Sequence, residues 1–186
     1  EQLRPRGFSS PIQATLIVVA WLVAVILQYF FTGFSFNENR PVDFQLFFSL
    51  VQTVGLYVIF VMANFGFSSF MTGKGKLTEI ITVTAYALIP YIVSLYVNVL
   101  LSNMLTQSEG IWLTIISTVG ILWSAAILFA GMMAVHQYSV SKTVLSFLVT
   151  LVGMLIIVFL IVLLITLFAQ VFSFLESIVR EVSIRQ

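Results

Sequence analysis

Five long stretches without a single charged residue divide this chain of 186 residues: 31 residues between Arg6 and Glu38, 30 between Asp43 and Lys74, 29 between Glu79 and Glu109, 32 between Glu109 and Lys142, and 33 between Lys142 and Glu176. A helix needs about 20 mainly apolar residues to cross the hydrocarbon core of a bilayer, so each stretch holds one crossing plus its interfacial ends. None is long enough for a tight hairpin of two full spans. Lipid offers no partners to backbone N–H and C=O groups, so each span must close its own hydrogen bonds as a helix. The chain is expected to be all-α, a polytopic five-helix bundle with spans near residues 11–32, 44–69, 77–101, 111–138 and 144–172.

Hydrophobic residues make up 60% of the chain and charged residues only 8%, with a mean hydropathy of +1.12. Such a chain would aggregate in water rather than fold around a core. Five spans and their short connections fill residues 1–186, which reads as one membrane domain with no separate soluble module. The net charge of +1, with no basic stripe interleaved with aromatics, gives no sign of nucleic-acid binding. The absence of cysteine removes disulfides, thiolate metal sites and cysteine nucleophiles. The first apolar run is too long for a cleaved signal peptide and ends in Tyr29, Phe30 and Phe31, side chains suited to a membrane interface.

Orientation follows from how basic residues divide between the two sides, because lysine and arginine are retained in the cytoplasm. One side carries Arg4, Arg6, Lys74, Lys76 and Lys142; the other carries Arg40, Arg180 and Arg185 with most of the acids. The amino terminus is expected inside and the carboxyl terminus outside. From Ser173 to Gln186 the pattern is amphipathic, with Leu175, Ile178, Val179 and Val182 on one helical face and Glu176, Arg180 and Glu181 elsewhere. It suits an interfacial tail or a continuation of the fifth helix.

Within the spans, three groups of residues stand out. In the third, Pro90 cannot donate to the carbonyl of Tyr86 and crowds it, so a kink is expected, with Tyr86, Pro90, Tyr91 and Asn98 as a candidate polar site in the bundle. In the fourth, Ala126, Ala130 and Ala134 recur every four residues, with Gly131 adjacent and Gly120 and Ser124 one turn apart. Small residues let helix backbones approach in lipid, so this stripe is expected to face another helix, first of all one within the chain. Gln52, Asn64 and Asn98 are neutral amides expected to face inward as interhelical hydrogen-bonding groups.

The third group is a predicted cytoplasmic docking face of Lys74, Lys76, His136 and Lys142. Gly73-Lys74-Gly75-Lys76 lacks the spacing of a phosphate-binding loop and reads as a flexible turn whose lysines meet anionic headgroups. His136 is the only histidine, which makes a poor zinc site, and the acids cluster largely on the opposite side, which disfavours a catalytic triad. No catalytic, cofactor or metal residue is expected, and the chain reads as a non-enzyme.

The run Gly73-Lys74-Gly75-Lys76-Leu77-Thr78-Glu79-Ile80, followed by Thr84-Ala85-Tyr86-Ala87-Leu88-Ile89-Pro90, resembles the glycine turn and Tyr-Ala-x-x-Pro signature of the Yip1 domain family, in its compact bacterial form. The likeness extends through Trp123 and His136-Gln137-Tyr138 to Thr150-Leu151-Val152-Gly153-Met154. It implies a five-helix membrane protein with a cytoplasmic amino terminus and no catalysis. Eukaryotic members act in vesicle traffic; compact bacterial ones occur with ABC transporter components, including carbohydrate importers. The expected role is therefore an accessory subunit of the bacterial cytoplasmic membrane that binds lipids and the permease subunits of such a transporter. The alternatives are an autonomous small transporter or channel, disfavoured because five spans cannot split into equal inverted repeats, and a membrane-organising scaffold.

Overall fold

The computed structural model describes residues 11–37 and 39–184. Arg4, Arg6, Glu1, Glu38 and Arg185 of the charge count lie outside the described residues, as do the side chains of Val179 and Val182 in the tail. All the regular structure is helical among the described residues, and five helical stretches are long and apolar enough to cross a membrane.

The first span is α1 (Pro11–Phe31), which starts on proline, where the missing N–H has no intrahelical partner to lose. The second begins as α2 (Leu46–Leu50), widens into one π-helical turn (Val51–Gly55) and continues as α3 (Leu56–Phe70). The third is α4 (Leu77–Ala87) and α5 (Ile89–Ser102), broken at Leu88. The fourth is α6 (Ile111–His136) and the fifth α7 (Val140–Ile184).

Capping fixes several ends. Glu79 reaches back to the Lys76 N–H at 3.0 Å to start α4, and Glu109 does the same for Thr106 ahead of α6. At the end of α6, Gln137 adopts a left-handed conformation (φ 55°), and the Tyr138 N–H returns to the Met133 carbonyl at 3.1 Å. The fourth helix therefore stops at His136 rather than at Tyr138. The fifth starts at Val140, earlier than the expected residue 144, because the Ser139 carbonyl already accepts from the Thr143 N–H at 2.9 Å. Residues 173–184 continue α7 without a break.

The third span is the centre of the bundle: 44% of its most apolar window is buried, against 11–22% for the other four. It packs along α1 on one side and α6 on the other, while α7 packs on α3. Three buried clusters follow from this. Trp21 and Ala24 meet Ile92 and Leu95; Ala14 and Val18 meet Ala85; and Val61, Ile80 and Met132 join the second, third and fourth spans.

The fifth helix is attached over its first part only. Thr143, Ser146, Thr150 and Gly153 are buried against the second span, whereas no described side chain from Leu155 to Glu181 is buried. Contacts between α6 and α7 are sparse. The two diverge around a cavity of about 250 Å³, lined by Trp21, Tyr57, Leu88, Ser124, Leu128 and Leu151 among others.

Candidate functional site

The break in the third span forms as proline chemistry requires. The Leu88 N–H shortens to the Ala85 carbonyl at 3.1 Å, and the helix resumes with Ile92 donating to Leu88 at 2.9 Å. The break deprives the Tyr91 N–H of its usual helical acceptor, and the Ser124 hydroxyl of α6 accepts it at 2.9 Å. One turn away, α6 and α5 are pressed together at Gly120, where a Cβ would stand 2.6 Å from the Ser94 Cβ and 3.3 Å from the Pro90 carbonyl oxygen. Gly131 packs on the Val83 side chain in the same way. A hydroxyl and two glycines on one face of α6 thus hold the broken helix.

This divides the expected small-residue stripe. Gly120, Ser124 and Gly131 face the third span, but Ala126, Ala130 and Ala134 are exposed, with no described helix covering them. The intrachain role expected for the alanines is corrected: at 100° per residue Ala126 and Ala130 lie about 80–160° round the helix from Gly120 and Ser124, and Ala134, about 40° from Gly120 on the side away from Ser124, is exposed as well. Beside the kink, a second apolar cleft of about 620 Å³ is lined by Tyr86, Pro90, Val97, Val119, Trp123 and Ile127 among others. The Trp123 side chain is 61% exposed.

The four residues of the expected polar site are not assembled into one. The Tyr86 hydroxyl donates to Gln13 of α1 at 2.9 Å. The Tyr91 ring lies edge-on to Trp21, 6.4 Å between centroids. Asn98 donates to the Leu113 carbonyl at 3.2 Å and to the Ser117 hydroxyl of α6 at 2.5 Å. The break turns these groups toward different neighbours, so each links a pair of helices. Asn98 and Asn64 face inward as expected, but Gln52 is exposed.

At the end where α6 and α7 meet, the structure brings together what the sequence scattered. His136 is 1% exposed, and its Nε2 lies 3.0 Å from the Asn64 Oδ1. That oxygen can only accept, so Nε2 carries the proton. The Asn64 amide in turn donates to the Thr150 hydroxyl at 3.2 Å, so one chain of bonds ties the fourth, second and fifth spans. Interhelical bonds of this kind contribute about 0.6 kcal/mol each in membranes, at most about 1.7.

The Gly73–Lys76 turn closes over this cluster. A Cβ on Gly73 would meet the Tyr138 hydroxyl at 2.5 Å and His136 Nδ1 at 2.8 Å, and one on Gly75 would meet the same Nδ1 at 2.8 Å. The glycines are there because the backbone passes directly over an imidazole and a phenol. His136 therefore leaves the expected docking face and becomes an internal strut. The lysines stay at the surface: Lys74 Nζ bonds Gln137 Oε1 at 2.9 Å, Lys142 Nζ bonds Thr72 Oγ1 at 3.1 Å, and Lys142 also sits 4.7 Å above the Tyr138 ring. Nothing in the sequence pairs Asn64 with His136, 72 residues apart; the two glycines flanking Lys74 were the available signal of a close approach.

An all-helical bundle of five apolar spans, with neutral amides joining its helices, defines an integral membrane domain. Residues 1–163 match the Yip1 domain, and the chain belongs to that family. No curated protein and no solved structure matches it.

Proposed function

We propose that this protein is a non-enzymatic membrane accessory subunit that packs laterally against the permease subunits of a transporter, in its most specific form a bacterial ABC importer of carbohydrates. The observation that carries the reading is the exposed face of α6. Ala126, Ala130 and Ala134 leave its backbone open to close approach, and the adjoining apolar cleft at Pro90, with Trp123 on its rim, would receive a partner's side chains. The amides Asn64 and Asn98 bond other helices of the bundle rather than lining a path, which favours an adaptor over an autonomous channel. The amino terminus and the Lys74, Lys76 and Lys142 surface would lie in the cytoplasm.

The test is purification of the tagged protein from its host in mild detergent with mass spectrometry of what accompanies it, for the natural chain and for Ala130→Trp. Permease subunits at stoichiometric level that disappear in the variant, with the variant still monodisperse, are the expected result. A homo-oligomer without transporter subunits would refute the adaptor role.

A further inference from the structure

At the end of the bundle opposite His136, the first and second spans enclose a groove of about 470 Å³ lined by Val25, Tyr29, Asn39, Asp43, Phe44, Gln45, Phe48, Ser49 and Gln52. Its composition is unlike that of the two apolar cavities. One carboxylate, three side-chain amides and three aromatic rings share a recess that reaches six residues down α1 from Phe31 and six down the second span from Leu46. At 1.5 Å per residue that is about 9 Å along each helix.

Three features indicate that the groove is built to hold something polar. The Gln52 amide and the Asp43 carboxylate make no hydrogen bond or ion pair with another described residue, and an amide left unmatched within an apolar span is costly. Gln52 sits in the single π-helical turn found among the described residues, Val51–Gly55, and such turns occur frequently at functional sites. Two of the groove's rings are fixed by a third outside its lining: Tyr29 and Phe44 form a trio with Phe30, with centroids 4.8–5.3 Å apart, and the Tyr29 hydroxyl is bound to the Arg40 carbonyl at 2.9 Å.

A carboxylate beside fixed aromatic rings is the chemistry that recognises an ammonium group, through charge and through the negative faces of the rings. The carboxylate is supplied by the last residue of the short 3₁₀ turn Pro41–Asp43, and Phe44 and Gln45, which follow it directly, line the groove as well. We propose that this groove binds an ammonium-bearing phosphate ester, with the ammonium at Asp43 and the rings of Tyr29 and Phe44, and the ester oxygens at the amides of Gln45 and Gln52. The proposal is independent of the transporter role.

The experiment is native mass spectrometry of the full chain released from vesicles containing equal amounts of phosphatidylethanolamine and phosphatidylglycerol with identical acyl chains. It is run on the natural protein, on Asp43→Asn, whose exposed side chain can change without disturbing the core, and on Phe44→Leu, which keeps apolar volume but removes a ring. Retention of phosphatidylethanolamine over phosphatidylglycerol, reduced about fivefold by Asp43→Asn, is expected, since a partly solvated ion pair contributes up to about 1 kcal/mol. Soluble phosphoethanolamine is then titrated into lipid-free protein. Binding there that Asp43→Asn weakens, without retained lipid, would support the same site and assign it to a free ester. Equal retention of both lipids with no binding of the soluble ester, or retention that neither substitution changes, would overturn the proposal.

Discussion

Replacing Ser124 by alanine should remove the acceptor that the fourth span supplies to the broken third span. The hydroxyl accepts the Tyr91 N–H at 2.9 Å, and the break at Leu88 has removed that donor from the regular helical ladder. A buried donor left without a partner costs about 1–3 kcal/mol, and at this depth no bulk water can repair it. Measured interhelical bonds in membranes average lower, about 0.6 kcal/mol, because the unfolded span finds other partners. The expected loss for Ser124→Ala is therefore about 1–1.5 kcal/mol, and Ser124→Thr, which keeps the oxygen, should lose less. The mechanism makes a stricter demand in the Pro90→Ala background. With an N–H restored at position 90 the helix can close its own ladder, and Tyr91 no longer depends on α6. Reversible unfolding in mixed micelles, followed by circular dichroism for the four members of the cycle, should give a coupling of about 1 kcal/mol between the two positions. An equal cost of Ser124→Ala with and without the proline would refute the account.

Other outcomes follow from the same geometry. Gly73→Ala places a methyl against the Tyr138 hydroxyl, His136 Nδ1 and the Ser68 carbonyl, and should destabilise by about 1–3 kcal/mol, whereas Gly66→Ala, with open space within 4 Å, should be neutral or stabilising by up to about 1 kcal/mol in the same unfolding assay. Asn64→Leu should weaken the link between second, fourth and fifth spans by about 1–2 kcal/mol, read as earlier proteolysis of the 136–142 connection. Burial pushes the Tyr138 phenol above its ordinary value of 10.0. The folded state then holds the proton more tightly than the unfolded one, so this group's contribution to stability is full below about pH 9 and is lost as pH rises through 10 and beyond. Because that hydroxyl has no hydrogen-bond partner among the described residues, Tyr138→Phe should leave neutral-pH stability unchanged or slightly improved and make the alkaline decline shallower.

The five spans were legible because charge spacing is a one-dimensional property: a bilayer excludes charge from a fixed thickness, and the positions of Lys74, Glu109 and Lys142 record it. The break at Pro90 was legible for an equally local reason, the missing N–H. What the sequence did not disclose is rotational. Ala126, Ala130 and Ala134 have the spacing of a packing face, yet the face that α6 turns inward is the one with Gly120, Ser124 and Gly131. In lipid, hydrophobicity no longer distinguishes inside from outside, so the usual guide to helix rotation is lost. His136 illustrates the same limit. A lone histidine beside lysines reads as surface, and only the placement of Asn64 and the Gly73–Gly75 turn buries it. The π turn at Val51–Gly55 left no mark in the residue pattern, and Gln52 was accordingly expected to face inward.

The length of α7 bears on where the protein can reside. Its 45 residues make a rod of about 67 Å, and its 33 charge-free residues between Lys142 and Glu176 cover about 50 Å against a hydrocarbon core of about 30 Å. The surplus must be absorbed by leaning or by thickening the surrounding bilayer. Since no described side chain of this helix beyond Leu155 is buried against the rest of the bundle, its inclination is set by the lipids more than by the bundle. The fifth span thus couples the shape of this protein to bilayer thickness, standing steeper in a thick membrane and lying lower in a thin one.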